Sequence, residues 1–506
     1  MKNNYKTIKY FIASSILALG VLLQSCEEDI PAIKLLPVVT PAKLDENAGT
    51  WKNILNVDYN AIALSAPAAT NSTAYQAELD ELVTLTANRT TAQATAVNFW
   101  GTGAVVRWNE IARTLIIKYN VAPTVGTPPN PNKPFSNPPF AARAYALLSV
   151  AQYDASVAAW KFKYQHNRPA PATTQPTIKL LTPVTALPSY PSEQAVVAEA
   201  SRKVLEFLFP AEKGYLQKLA DENLNSRKWA GANTQSDLDA GKTVGAYVGT
   251  LAINRAKTDR MKDAADPNQT HLTYFNISDA TVPMRWKSLE LPVRPPMLPL
   301  YGKVKTWYDS TSAYTALPPA PPDLNSTEFA TALQEVRKIS DDRTREQWRI
   351  ADFWADGAGT FTPPGHWNLI AQDLIIEARF SEVRAARTFA LMNRAVMDAG
   401  ILCWYSKYKY YLPRPSQMDS EIKTATGIPN FPSYTSGHAS FSGAAATLLA
   451  YLFPDKSSAL LSQAEEAALS RLYGGIHYRF DNDRGRDCGI KIGQLAVAWA
   501  QTDGAN

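Results

Sequence analysis

Cysteine is scarce in this chain of 506 residues, which has three, and there are only five histidines. Three cysteines cannot form a disulfide framework for a protein of this size, so apolar burial has to close the core. Cys403 and Cys488 then read as small, buried, apolar residues. Long apolar runs are also missing. The stretch from Tyr10 to Leu23 is too short to span a membrane comfortably, and no later one reaches the roughly 18 uninterrupted apolar residues a span requires. Nor is there a large excess of one charge. The formal +5 includes Lys2, Lys6 and Lys9, and falls to +2 without the first 25 residues. That balance argues against nucleic acid or a bulk membrane surface as an electrostatic partner. What is present is an ordinary globular composition, 45% hydrophobic and 19% charged, in a chain longer than one core needs.

The first residues read as an export signal: basic Lys2, Lys6 and Lys9, the apolar run, then Gln24-Ser25-Cys26. Leu23-Gln24-Ser25-Cys26 resembles a bacterial lipobox, which implies that Cys26 is lipidated and begins the mature chain. The acidic Glu27-Glu28-Asp29 resembles the surface-export signal of such lipoproteins. The expectation is a protein exported and lipid-anchored to the outer membrane, facing either the periplasm or the outside.

Proline-rich stretches at 31–41, 123–139 and 292–322 read as tether and loops. Between them apolar residues recur at three- and four-residue spacing over 109–119, 141–160, 367–380 and 382–405, which predicts an all-α protein. The chain also repeats itself. Asn98-Phe99-Trp100 returns as Asp352-Phe353-Trp354, and Trp108-Asn109-Glu110-Ile111-Ala112 as Trp367-Asn368-Leu369-Ile370-Ala371. Ala141-Ala142-Arg143 returns as Ala385-Ala386-Arg387, Asp154 as Asp398, Trp160 as Trp404, and Pro188-Ser189-Tyr190-Pro191-Ser192 as Pro432-Ser433-Tyr434-Thr435-Ser436. Two helical bundles related by internal duplication explain this most simply, with the active site in the C-terminal bundle. The expected division is a signal peptide at 1–25, a tether and N-terminal segment at 26–95, a degenerate copy at 96–250, a connecting segment at 251–350 and a catalytic domain at 351–506.

The second copy carries an ordered set of polar residues. Lys407 stands seven before Arg414-Pro415, Ser436-Gly437-His438 follows, and Ser470-Arg471 lies six before His477, with Asp481 four further on. A multiply charged tetrahedral oxyanion needs several cations and fixed donors to leave water. Lys407, Arg414 and Arg471 supply charge, Ser436 a hydroxyl, and Gly437 a backbone N–H with no side chain in the way. Asp481, one helical turn after His477, can hold one imidazole nitrogen protonated while the other faces the anion. His438 is the candidate acid/base. His166, His271 and His366 have no partner pattern and read as surface or structural residues. The first copy retains Arg168-Pro169, Ser192, Ser226-Arg227 and Asp237, but has Gln194 and Asn233 in place of the two histidines. Its lysine is ambiguous, Lys161 by spacing or Lys163 by ungapped alignment.

This order resembles the three-part signature of the superfamily shared by type 2 phosphatidic acid phosphatases and vanadium-dependent haloperoxidases, with Thr435 where proline is usual. The resemblance implies two chemistries for one pocket. With vanadate as cofactor, His477 is the ligand and hydrogen peroxide oxidises a halide, iodide or bromide. With a phosphoester as substrate, His477 is the nucleophile of an acid phosphatase and forms a phosphohistidine. Trp404 and Phe431 resemble residues on the halide side of the peroxidases, whereas plain core packing explains them equally well. The 32 residues between His438 and Arg471 resemble the compact phosphatase spacing. From another class altogether, a surface lipoprotein could be a non-catalytic binding module with a vestigial pocket.

Overall fold

A computed structural model describes residues 36–127, 130–182 and 186–505. The expected export signal and Cys26 lie outside the described residues. The chain divides into the units Met1–Pro37 and Val38–Asn506, and the helices among the described residues all belong to the second. Among its described residues there are helices and turns and no strand. No helix is long and apolar enough to cross a membrane.

Numbering only the helices of nine residues or more, the first half contains α1 Thr73–Ala87, α2 Thr91–Trp100, α3 Ala104–Tyr119, α4 Pro138–His166, α5 Glu193–Leu208, α6 Lys213–Trp229 and α7 Gln235–Thr258. The second contains α8 Thr327–Asp342, α9 Arg345–Phe353, α10 Thr362–Glu377, α11 Glu382–Tyr410, α12 Gly437–Leu452, α13 Ser457–Tyr473 and α14 Arg479–Ala500. The sequence pattern located α3, α4, α10 and α11. It also missed something: the stretch 292–322, expected to be free of helix, contains the short helix Ser310–Tyr314. Asp309 starts it by accepting from the Ser312 N–H between the flanking prolines. Pro138 and Pro139 similarly open α4, where a missing N–H costs nothing.

The duplication is visible helix by helix. α11, α12, α13 and α14 begin 244 positions after α4, α5, α6 and α7, the same separation as between the hydrogen-bonded Ser149 and Asn393. Trp100 Nε1 donates to Glu222 at 3.0 Å and Trp354 Nε1 to Glu466 at 2.9 Å. Arg143 pairs with Asp259 at 2.6 Å and Arg387 with Asp503 at 2.7 Å. Along the contact between halves, residues meet their own counterparts: Asn109 donates to Asn368 at 3.0 Å, Arg113 reaches Gln372, and Asn393 donates to Ser149 at 2.9 Å. Self-matching of this kind marks a two-fold axis, here built into one chain. The long helices α4 and α11 pack along each other at its centre. The expected copies are therefore halves of one body.

Close helix crossing places the site. α14 packs on α12 so tightly that a Cβ on Gly489 would come within 2.2 Å of the Ser440 carbonyl oxygen, which only glycine avoids. This draws the start of α12 against the start of α14, where the Ser436 N–H donates to the Asp481 carbonyl at 3.0 Å.

Candidate functional site

Five segments converge at that crossing: the end of α11 brings Lys407, the following loop Arg414, the start of α12 Ser436, Gly437 and His438, the end of α13 Arg471, and the turn before α14 His477. Gly475, at φ 73°, makes the turn that leads from α13 to His477. His477 is not on a helix as its spacing with Asp481 suggested. α14 begins at Arg479, and Asp481 reaches back from its first turn, accepting from the Tyr478 N–H at 3.2 Å and from His477 Nδ1 at 2.8 Å. Ser433 donates to the same carboxylate oxygen at 2.5 Å and lies 3.4 Å from His477 Nδ1.

The other ring nitrogen, Nε2, lies 3.0 Å from Arg414 Nη1. An arginine can only donate, so Nε2 carries the lone pair and Nδ1 the proton that Asp481 holds. Burial, then Arg414, Lys407 and Arg471, depresses the His477 pKa well below its ordinary value, keeping the ring neutral. Burial and Arg471 do the same to His438, whose Nε2 has no hydrogen-bond partner in the protein. Burial lowers Arg471 to about 10 and also lowers Arg414 to about 10. For the buried Lys407 and Asp481, burial pushes toward the neutral forms, lowering the lysine and raising the acid, while their mutual attraction opposes it.

Lys407 departs from its expected role as a free cation. Its ammonium donates to the carbonyls of Pro432, Ser433 and Thr435, which accounts for all three of its protons. It anchors the 432–435 turn as well as charging the pocket. Arg414 holds the Phe431 carbonyl at 3.0 and 3.1 Å and that of Ile476 at 2.8 Å, and Arg471 holds Ala351 at 2.8 Å. Trp404 and Phe431 pack as tilted rings with centroids 4.9 Å apart, and the Lys407 ammonium lies 4.9 Å from the Phe431 centroid. They form an aromatic wall beside the cations as well as part of the core, so the two readings of these rings are compatible.

Two features had no sequence signal. His366, 7% exposed, bonds Asp356 at 3.1 Å and stacks on Trp354 at 4.4 Å. It lies near enough to His438 to oppose its protonation, while Asp356 favours the charged form of Arg471. Only the folding back of the loop 354–361 brings that pair here. Ser433 could have been found, since the repeat matches it to Ser189. His271 is structural: buried, it bonds Asp266 at 2.6 Å and stacks on Tyr411. Cys403 and Cys488 are both buried and unbridged.

In the first copy the helix offset settles the ambiguous lysine. Lys163 is buried and donates to Pro188 at 2.6 Å, as Lys407 does to Pro432, whereas Lys161 is exposed. The offset also corrects the arginine. The short helices Pro171–Thr174 and Pro415–Met418 correspond, so Ala170 stands at the place of Arg414, and Arg168 instead pairs with Asp237.

The orphaned His438 Nε2, the guanidinium groups and the lone pair of His477 suit a tetrahedral oxyanion such as vanadate or phosphate. The chain is also similar to known proteins. Residues 389–505 match the model of the PAP2 superfamily. The chain is 27% identical over 196 residues to the vanadium chloroperoxidase of Curvularia inaequalis, a stretch covering 31% of this chain and 32% of that protein. Among solved structures it resembles a bacterial vanadium-dependent iodoperoxidase at 22% identity, with a TM-score of 0.61 over 78% of this chain and 95% of that one. A bacterial vanadium-dependent chloroperoxidase in its holo form follows at 15% identity, with a TM-score of 0.52 over 77% and 98%. Residues 389–505 thus match the PAP2 superfamily, within a chain that has the all-α fold of the vanadium-dependent haloperoxidases.

Proposed function

We propose that the protein is a vanadate-dependent haloperoxidase that oxidises a halide, iodide or bromide, with hydrogen peroxide. The observation that carries this reading is His477, neutral, with Asp481 holding Nδ1–H, the Nε2 lone pair against Arg414, and Lys407 and Arg471 near enough to oppose its protonation. His477 would ligate vanadate, with Arg414, Arg471 and Lys407 balancing its charge and Ser436 and the Gly437 N–H donating to its oxygens. Bound vanadate supplies the activation of peroxide. The chain's own part is to keep His477 in one tautomer, to release Arg414 from Nε2 so that this nitrogen is free, and to hold or move a proton at His438 Nε2. The aromatic wall of Trp404 and Phe431 supports the peroxidase over its alternative by giving a weakly hydrated anion a dry flank.

The second reading is an acid phosphatase in which the same Nε2 attacks a phosphoester and His438 protonates the leaving alcohol, and the superfamily match favours it equally. The test is to titrate protein lacking residues 1–26 with orthovanadate in peroxide and iodide, beside His477→Ala. Saturable, vanadate-dependent iodide oxidation that the variant lacks supports the peroxidase. If instead the vanadate-free protein hydrolyses a chromogenic phosphoester and vanadate inhibits it, the phosphatase reading stands. Absence of both activities leaves the non-catalytic binding lipoprotein.

We also propose that the protein is exported and lipid-anchored through Cys26, on the pattern Leu23-Gln24-Ser25-Cys26. Metabolic labelling with a radioactive fatty acid tests this, since a Cys26→Ala variant that still takes up label would refute it.

A further inference from the structure

The helix offset that aligns the halves puts Glu193 at the place of Gly437, the residue whose bare backbone opens the C-terminal pocket. Around it most of the duplicate cradle persists, with Ala170 in place of Arg414 but Lys163 for Lys407, Arg227 for Arg471, and Ser192 for Ser436, each serine capping its helix through the N–H three residues on. The Glu193 carboxylate lies 2.8 Å from the Lys163 ammonium. Burial pushes the Glu193 pKa up, but Lys163 and Arg227 together hold it below the ordinary carboxylate value, so it is an anion. The same carboxylate is the charge that most strongly supports protonation of the partly buried Arg227. In the second copy an added Cβ at Gly437 would meet nothing nearer than the rings of Trp404 and Phe441, at 3.6 and 3.7 Å, so the protein leaves the equivalent space for a ligand.

We infer that the N-terminal half retains an oxyanion site whose occupant is the chain's own Glu193 carboxylate. It stands where phosphate or vanadate would be held in the other half, an assignment that rests on the oxyanion reading of that half. Beside it opens a cavity of about 120 Å³ lined by Trp160, Glu193, Gln194, Arg227, Asn233 and Glu382. Glu382 does not serve as the occupant, because its two oxygens accept from the Ala104 and Val105 N–H groups and cap α3. Without the Glu193 carboxylate, the buried Lys163 and the partly buried Arg227 would lack their counter-ion, and a tetrahedral oxyanion would replace it. Such an anion would be bound but not reacted, since Gln194 and Asn233 stand where His438 and His477 do their chemistry.

Equilibrium dialysis of the full chain against radiolabelled inorganic phosphate tests this through the difference between wild type and Glu193→Gly. The variant is expected to bind one more phosphate per chain than wild type, and to lose it again when Lys163→Met is added. An unchanged count overturns the inference. The wild-type count alone reports on the C-terminal site: a count of zero there would refute that reading, while the difference still decides this one. Should Glu193→Gly fold poorly, its melting temperature is expected to rise with phosphate by more than that of wild type, and an equal rise would overturn the proposal.

Discussion

His477 is held at both ring nitrogens, and the two contacts divide its properties. Asp481 fixes the tautomer and Arg414 marks the nitrogen available to a ligand. Asp481→Asn is expected to keep the fold but lower vanadate affinity by about 10–100-fold, the usual effect of losing a carboxylate behind a ligating histidine, as read by dialysis. Ser433→Ala, which removes only a donor to that carboxylate, should weaken binding less than Asp481→Asn in the same assay. The principal site residues were legible in sequence because each is a chemically distinctive type at a fixed spacing. What spacing did not convey is how many protons each cation has left. That Lys407 spends its own on three carbonyls, and that His366 and Asp356 stand behind His438 and Arg471, depends on loops whose paths have no period to read.

Among the elements, the crossing of α12 and α14 sets the distance between the two histidine-bearing segments. Gly489 permits it, and its counterpart Gly245 permits the matching crossing of α5 and α7, where an added Cβ would lie 2.4 Å from the Val196 carbonyl oxygen. Gly489→Ala is expected to cost about 1–3 kcal/mol of stability, the range for overpacking a tight contact, measured by denaturant unfolding. It should also reduce turnover, because parting the helices moves Ser436 from the Asp481 carbonyl. Gly245→Ala should cost similar stability and leave turnover unchanged in the folded fraction, as its crossing lies in the other half. Periodicity in the sequence located α3, α4, α10 and α11, but it singled out neither of the helices that hold these glycines nor the glycines themselves, since helix–helix distance is not a local property.

For the whole molecule, each half ties an upstream segment to its long helix through one buried carboxylate. Asp154 accepts from the Ile54 and Leu55 N–H groups, and Asp398 from those of Trp307 and Tyr308. Burial outweighs these bonds and raises both acids to about 7. Between the ordinary carboxylate value and that point, the folded chain keeps protons the unfolded chain has lost. The contribution of these acids to stability is therefore present at low pH and lost as pH rises from about 4 to about 7. Asp398→Asn should flatten that part of the pH–stability curve, while costing about 1–3 kcal/mol at neutral pH through poorly matched amide donors. A variant with the same slope as wild type would show that Asp398 does not titrate there.

The sequence by itself determined the helical class, the duplication and the residue types of the oxyanion site, because periodicity, self-similarity and motif order are properties of the chain. Only the tertiary structure decided that the two halves share one two-fold core, that Ala170 and not Arg168 corresponds to Arg414, and that Glu193 fills the duplicate pocket. Those facts depend on which atoms approach across stretches of chain far longer than a helical turn, and spacing along a sequence holds no measure of that distance.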